Sequence, residues 1–138
     1  MKFYNKEETQ HHLKVCIAVK NHLINKHNIM AKREWYIILD DEDKIIGSPL
    51  PGITIAQKSR KQKYRNPDLL WYWGENLYIL EIDGFVHYTK SSKTEKRNTI
   101  YKNNNCHFII IETFELVNGK VKNKPIEKIL KELDEKII

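Results

Sequence analysis

The sequence predicts an α/β domain in which helices flank a mixed sheet of four or five strands. Three features favour this class: amphipathic segments near both ends of the chain, short β-branched and aromatic runs between them, and a polar helical stretch before the last apolar run. The predicted order is helix, four or five strands, helix, strand, helix. The chain has 138 residues, enough for one domain with its own core, and we expect 1–138 to form that single domain.

The N-terminal half predicts one helix and two strands. Apolar residues recur at helical spacing over about 7–27, which is typical of an amphipathic helix. The runs 35–39 and 44–47 predict two strands around an acidic turn at 40–43. This turn lacks the ligand spacing of an EF-hand calcium loop, so we interpret it as a solvated turn.

The C-terminal half predicts a hairpin followed by helix, strand and helix. Aromatic and β-branched runs at 69–73 and 77–83 are separated by a short loop that contains glycine. A charged helix is expected over 91–105 and a buried strand over 107–111. Pro125 suits the first turn of the last helix.

Positive charge predicts a polyanionic partner. The chain has 24 Lys and Arg against 18 Asp and Glu, a formal net charge of +6. The charge is densest in one stretch, which contains Lys58, Arg60, Lys61, Lys63 and Arg65. We expect this basic stretch to contact nucleic-acid phosphates, although a solvated loop would have the same composition.

The sequence contains no apolar run of the roughly 20 residues that a membrane span needs, and its N-terminus is too polar for a signal peptide. We therefore expect no membrane partner and an intracellular location, cytoplasmic or inside a host cell if the protein is viral. Cys16 and Cys106 lie in no metal-binding or disulfide spacing, and we interpret both as core thiols.

Three acids are predicted to converge on one face of the hairpin. If Trp73 pairs with Asn76 across a two-residue loop, Asp68 lies opposite Glu81, and strand alternation places Asp83 on the same face. Two carboxylates about 4 Å apart repel by roughly 4 kcal/mol at an effective dielectric of 20. A divalent cation that prefers oxygen ligands would remove this repulsion. A one-residue shift of the loop, or pairing of an acid with a lysine, is the alternative.

These motifs resemble a known nuclease superfamily. Pro67-Asp68, followed after a strand-length interval by the segment 81–87, Glu-Ile-Asp-Gly-Phe-Val-His, resembles the PD-(D/E)XK superfamily with its restriction-endonuclease-like fold. The nearest likeness is to its very-short-patch-repair-like and related small endonucleases. The order continues through Arg97 to the run 108–111, so the resemblance covers about 65–116.

The resemblance implies that Asp68, Glu81 and the main-chain carbonyl of Ile82 bind Mg²⁺, with Mn²⁺ able to substitute. The superfamily usually has a lysine at the position of Asp83, where it orients the attacking water. Asp83 is then a third ligand or, through a metal-bound water, part of the base machinery. Candidates for the missing role are His87, Lys93 and Lys96. The first helix often supplies another acid, and Glu7 and Glu8 are available.

The implied activity is endonucleolytic hydrolysis of DNA that leaves 5′-phosphate and 3′-hydroxyl ends. The basic stretch and Arg97 are expected to hold the DNA backbone, and cutting both strands would favour a homodimer. One alternative is a non-catalytic nucleic-acid-binding module on the same fold, in which Asp83 marks a lost active site. Another is an interaction protein whose acids pair with lysines and whose basic stretch meets an acidic partner.

Overall fold

The computed structural model describes residues 6–52, 61–85 and 91–137, with side chains described from residues 10 and 92 onward in the first two helices. The three helices of these ranges are α1 Lys6–His27, α2 Ser91–Asn103 and α3 Ile126–Ile137. All three agree with the predicted helices. No helix in the described ranges is both long enough and apolar enough to cross a membrane.

The described residues form seven strands in three small sheets. The strands are β1 Ile37–Leu39, β2 Lys63–Arg65, β3 Leu69–Trp73, β4 Asn76–Asp83, β5 His107–Glu112, β6 Phe114–Val117 and β7 Lys120–Asn123. The largest sheet has the order β3-β4-β5, with β3 antiparallel and β5 parallel to β4. The pairs β1-β2 and β6-β7 are separate antiparallel sheets.

The mixed α/β class is confirmed, and within residues 6–52, 61–85 and 91–137 the central sheet has three strands, against the four or five predicted. The segment predicted to be a strand at 44–47 makes an isolated bridge from Ile45 to Leu39. Asp40 closes the turn before it by accepting the backbone N–H groups of Glu42 and Lys44. Beyond the turn the side chain at position 46 is half exposed. The Ile46 N–H still donates to the Ile38 carbonyl at 2.9 Å, but the regular strand pairing of β1 is with β2.

The β6-β7 hairpin is absent from the sequence prediction. Its two-residue turn is Asn118-Gly119, and both residues have positive φ, 52° and 77°. Positive φ at both central positions is the geometry of a type I′ turn, which matches the twist of hairpin strands. The Asn-Gly pair was therefore a readable signal for this hairpin.

The β3-β4-β5 sheet lies between two apolar layers. On one face, α1 and α3 pack with the sheet through Val15, Val19, Leu23, Leu69, Leu80, Ile82, Ile111, Ile129 and Leu133, among others. On the other face, α2 and β1 pack with it through Ile37, Leu39, Leu70, Ile79, Ile100 and Tyr101. Because β4 side chains alternate, the even positions 80 and 82 face α1 and α3, and position 81 faces α2. The end of β4 thus lies between α1 and α2.

Candidate functional site

The hairpin register places the first two predicted acids side by side. Trp73 pairs with Asn76, as the two-residue loop predicted. The backbone N–H of Asp68 donates to Glu81 Oε1 at 3.0 Å. The backbone N–H of Ile82 donates in turn to Asp68 Oδ2 at 2.6 Å. The backbone beside each acid therefore donates a hydrogen bond to the carboxylate of the other acid. Both carboxylates are fixed in this way where β3 begins and β4 ends.

The third acid is paired with a buried arginine. Arg97 Nη1 and Nη2 donate to the two carboxylate oxygens of Asp83, each at 2.9 Å. Arg97 Nη1 also lies 3.0 Å from Glu81 Oε2. The arginine is 3% exposed, and its guanidinium lies 5.7 Å from the Phe108 ring centroid. Part of the acid cluster is thus neutralised by a protein cation.

This placement corrects the role expected for Arg97. A side chain held inside the protein by two carboxylates is not on the surface that a DNA backbone would touch. The physical reason is the charge on β4, because two carboxylates on one face of a buried strand need an opposite charge beside them. The alternative of pairing with a cation therefore applies to two of the three acids, with arginine in place of lysine.

Helix α1 brings a histidine to the same place. His12 Nε2 donates to the carbonyl oxygen of Ile82 at 2.9 Å and lies 3.8 Å from Asp68 Oδ1. Its Nδ1 lies 3.7 Å from the Cys16 sulfur, one helical turn further on. The carboxylate of Asp68, followed by the Cys16 thiol, raises the pKa of His12 well above its usual value. A protonated His12 therefore stands between Asp68 and the Ile82 carbonyl.

His12 is a residue that the sequence reasoning missed. That reasoning expected an acid from the first helix, at Glu7 or Glu8, whose side chains lie outside the described residues. A readable signal existed, because His12 lies three and four residues before Val15 and Cys16, which are buried. A polar residue that extends the buried stripe of a helix is directed toward the interior of the domain.

The electrostatics of the site centre on Glu81. Burial, and then the charge of Asp68, raise the pKa of this carboxyl to about 7, although Arg97 acts in the opposite direction. With Glu81 ionised, the three carboxylates outnumber the two cations, Arg97 and protonated His12. The site is then negative by one charge, which favours a cation at its open side.

Two sets of donor atoms could hold a metal ion, and they share Asp68. Asp68 Oδ1 and the carbonyl oxygen of Ile82 both face His12 Nε2, and with Glu81 they form a set of oxygen donors that suits Mg²⁺ or Mn²⁺. The second set contains His12, Cys16 and Asp68, whose ligand atoms lie within 4.8 Å of one another. Nitrogen, sulfur and oxygen together suit Zn²⁺ better. Binding of Mg²⁺ or Mn²⁺ to the oxygen set would require His12 to leave the Ile82 carbonyl and Glu81 to release one oxygen from the Asp68 N–H or from Arg97.

The candidates for the missing lysine differ in position. Lys93 is exposed and lies four residues before Arg97, on the same face of α2 and one turn nearer the helix start. Lys96 is also exposed and lines an open groove with Glu42 and Asp43. His87 lies outside the described residues. Lys93 is therefore the described candidate that the helix directs toward the acids.

The basic stretch is partly built into a strand. Lys58 and Arg60 lie outside the described residues. Lys61 is exposed, and Lys63 Nζ forms an ion pair with Asp43 at 2.5 Å. Arg65 is half-buried, with its guanidinium 6.0 Å from the Tyr101 ring centroid. The described part of the stretch thus combines surface cations with a residue that packs on α2.

Comparison of the chain with family models, curated proteins and solved structures finds no match. The resemblance therefore depends on the motif residues around Asp68 and 81–87 and, for Asp68 and 81–85, on the geometry in which they lie. That geometry brings together Asp68, Glu81 and Ile82, and it adds His12 and Arg97.

Proposed function

We propose that the chain is a metal-dependent DNA endonuclease with a restriction-endonuclease-like fold. The observation that supports this best is the pair of hydrogen bonds that join Asp68 to the backbone of β4 and Glu81 to the backbone before β3. They hold two acids of adjacent strands side by side, with Asp68 Oδ1 3.8 Å from His12 Nε2. Parallel β4 and β5, with α2 between them in the chain, are consistent with that fold.

In this proposal Asp68, Glu81 and the Ile82 carbonyl hold Mg²⁺ or Mn²⁺. The bound cation would lower the pKa of a water and neutralise charge on the scissile phosphate. Asp68 and Glu81 are preorganised for this by their backbone hydrogen bonds. Arg97 is a positioning residue, because its buried guanidinium pairs with Glu81 and Asp83 and does not reach the substrate. His12 would have to give up its contact with the Ile82 carbonyl for a cation to be held there.

Asp83 has a different part from the lysine that the superfamily places there. Both oxygens of this carboxylate accept hydrogen bonds from Arg97, and the side chain is buried. It therefore anchors Arg97 rather than activating water. An exposed cation near the acids is still needed to meet the phosphate, and Lys93 is the described residue best placed for it.

Cleavage of end-labelled duplex, mismatched, branched and single-stranded DNA tests the proposal. The parent is compared with Asp68→Asn and Glu81→Gln in Mg²⁺, Mn²⁺ or EDTA. Glu75→Gln is the matched control, because it makes the same change at an exposed turn of the same hairpin. We expect metal-dependent cleavage with 5′-phosphate ends, retained in the control and reduced at least about 100-fold in both site variants. Folded site variants that cut as fast as the parent would refute the assignment.

The second candidate is a non-catalytic nucleic-acid-binding module. The ion pairs of Arg97 with Glu81 and Asp83 favour it, because they neutralise acids that a metal would otherwise share. This module would bind DNA with an affinity that falls as salt rises, and it would cut nothing with any metal. A Lys61→Ala, Lys63→Ala double variant should then weaken binding for every DNA sequence alike. Failure of the parent to bind DNA at moderate salt would instead support the interaction protein.

A further inference from the structure

A second cluster of ligand atoms lies at the other end of α1, where the helix meets α3. His22 Nε2 lies 2.8 Å from Asp134 Oδ1, and His27 Nε2 lies 2.6 Å from the same oxygen. Lys26 Nζ donates to the second oxygen, Asp134 Oδ2, at 2.6 Å. His22 is ten residues beyond His12, or about 15 Å along the helix at 1.5 Å per residue. The cluster is therefore separate from the acids of β4.

The geometry of these side chains fits a metal ion of the zinc class. The three ligand atoms of His22, His27 and Asp134 lie within 4.8 Å of one another. Donor atoms about 2.1 Å from a tetrahedral Zn²⁺ are about 3.4 Å apart. The observed separations of 2.6 and 2.8 Å would thus open by roughly 0.6 to 0.8 Å, which rotations of the two imidazoles can supply.

The surroundings of the cluster leave one coordination position for solvent. The side chains of His22, His27 and Asp134 are 20%, 18% and 21% exposed, so all three are partly accessible to solvent. Lys26 holds Oδ2, which leaves Oδ1 as the oxygen that both imidazoles address. A carboxylate fixed in this way binds a metal through one oxygen while its other oxygen keeps a hydrogen bond. Lys26 is 57% exposed and can move away from the added charge.

We propose that His22, His27 and Asp134 bind one Zn²⁺ or a related transition-metal ion, with water as the fourth ligand. The ion ties the last turn of α1 to α3. Imidazole nitrogen and carboxylate oxygen are donors that zinc prefers, and two nitrogens with one oxygen do not favour Mg²⁺. Binding to the folded state alone stabilises it by mass action, so zinc raises the melting temperature of the protein.

The test uses the full chain without a polyhistidine tag, in a His12→Gln, Asp68→Asn background, because Asp68 belongs to both of the other sets of metal-ligand atoms. Zn²⁺ affinity is measured by competition with a chromophoric chelator, and ligand type by the visible spectrum of the Co²⁺ form. We expect one ion per chain and a tetrahedral Co²⁺ spectrum without a thiolate charge-transfer band. His22→Gln, His27→Gln and Asp134→Asn should each weaken Zn²⁺ binding about 100-fold or more. His107→Gln should leave it unchanged.

Two further measurements keep the result interpretable. Circular dichroism in EDTA shows whether each variant is folded, and Lys26→Met should keep zinc affinity because Lys26 contacts only the non-coordinating oxygen. The Co²⁺ spectrum of the background protein needs no ligand variant, so the proposal stays testable if one variant fails to fold. The cluster would be hydrogen-bonded only, with no metal site, if the background protein binds no zinc. The same conclusion would follow if folded His22→Gln and His27→Gln bind zinc as tightly as the background protein does.

Discussion

Replacement of Arg97 by methionine is the most informative change to the folded state. Arg97 is 3% exposed and lies within 3.0 Å of Glu81 and 2.9 Å of Asp83. Methionine fills part of the space of the arginine stem but leaves both carboxylates without their cation. Removal of one partner from a buried ion pair costs about 3 to 5 kcal/mol. Alternate residues on a strand are about 7 Å apart, so about 2 kcal/mol of this is carboxylate repulsion at an effective dielectric of 20.

The loss should depend on pH in a defined direction. Burial already raises the pKa of Glu81 to about 7 in the folded state, and loss of Arg97, which lowers it, raises this pKa further above that of the unfolded chain. The folded state then binds more protons than the unfolded state, so the stability of the variant increases as the pH falls. We expect the free energy of unfolding to drop by about 4 kcal/mol at pH 8 and by clearly less at pH 5.

Urea unfolding followed by tryptophan fluorescence measures this, since Trp71 is buried in the same sheet. Lys102→Met is the control, because it makes a similar change at an exposed position of α2. The double variant Arg97→Met, Asp83→Asn removes one of the two carboxylates that lose their cation, and it should recover part of the lost free energy of unfolding. A decrease under about 1 kcal/mol that is the same at both pH values would show that the ion pairs do not support the fold.

Three other predictions follow from the same structure. Burial above all raises the pKa of Glu81 to about 7, so ionisation of this carboxyl destabilises the folded state. The free energy of unfolding of Glu81→Gln should therefore rise relative to that of the parent by up to about 3 kcal/mol between pH 5 and pH 8. Urea unfolding curves that differ between the two proteins by the same amount at both pH values would contradict this. Burial raises the pKa of Asp134, but hydrogen bonds from Lys26, His27 and His22 outweigh it and hold the pKa well below its usual range. Because this stabilisation is lost as the pH falls below about 4, Asp134→Asn in EDTA should cost about 2 kcal/mol at pH 7 and less in acid, by denaturant titration; a constant difference would refute it. Gly119 has φ of 77°, so Gly119→Ala should lower stability by about 1 kcal/mol, seen as a lower melting temperature than that of the control Gly52→Ala, whose φ is not positive.

The sequence predicted the hairpin and its acids well because a local feature determines them. A two-residue loop between Trp73 and Asn76 fixes the register, and the register alone decides that Asp68 meets Glu81. Asn118-Gly119 is a local signal of the same kind for the β6-β7 hairpin. The size of the central sheet was less accessible, because pairing of β1 with β2 joins segments far apart in the chain.

The partners of the acids were harder to identify, although helical spacing held a usable signal. Arg97 precedes Ile100 and Tyr101 by three and four residues, and both of these are buried. His12 has the same relation to Val15 and Cys16. In each case the polar residue continues a buried stripe and points inward. Charge counting alone assigned Arg97 to the surface, because it does not consider which positions of the helix face the core.

The most direct test of the central claim is the single-turnover rate of DNA cleavage in Mg²⁺ by the parent and by Asp68→Asn. Asp68 is the decisive position, since its Oδ2 is already held by the Ile82 backbone while its Oδ1 lies 3.8 Å from His12 Nε2. The account predicts cleavage by the parent that stops in EDTA, and a rate at least about 100-fold lower in a folded Asp68→Asn variant. DNA binding without cleavage by the parent in any divalent metal, or equal rates for the two proteins, would contradict it.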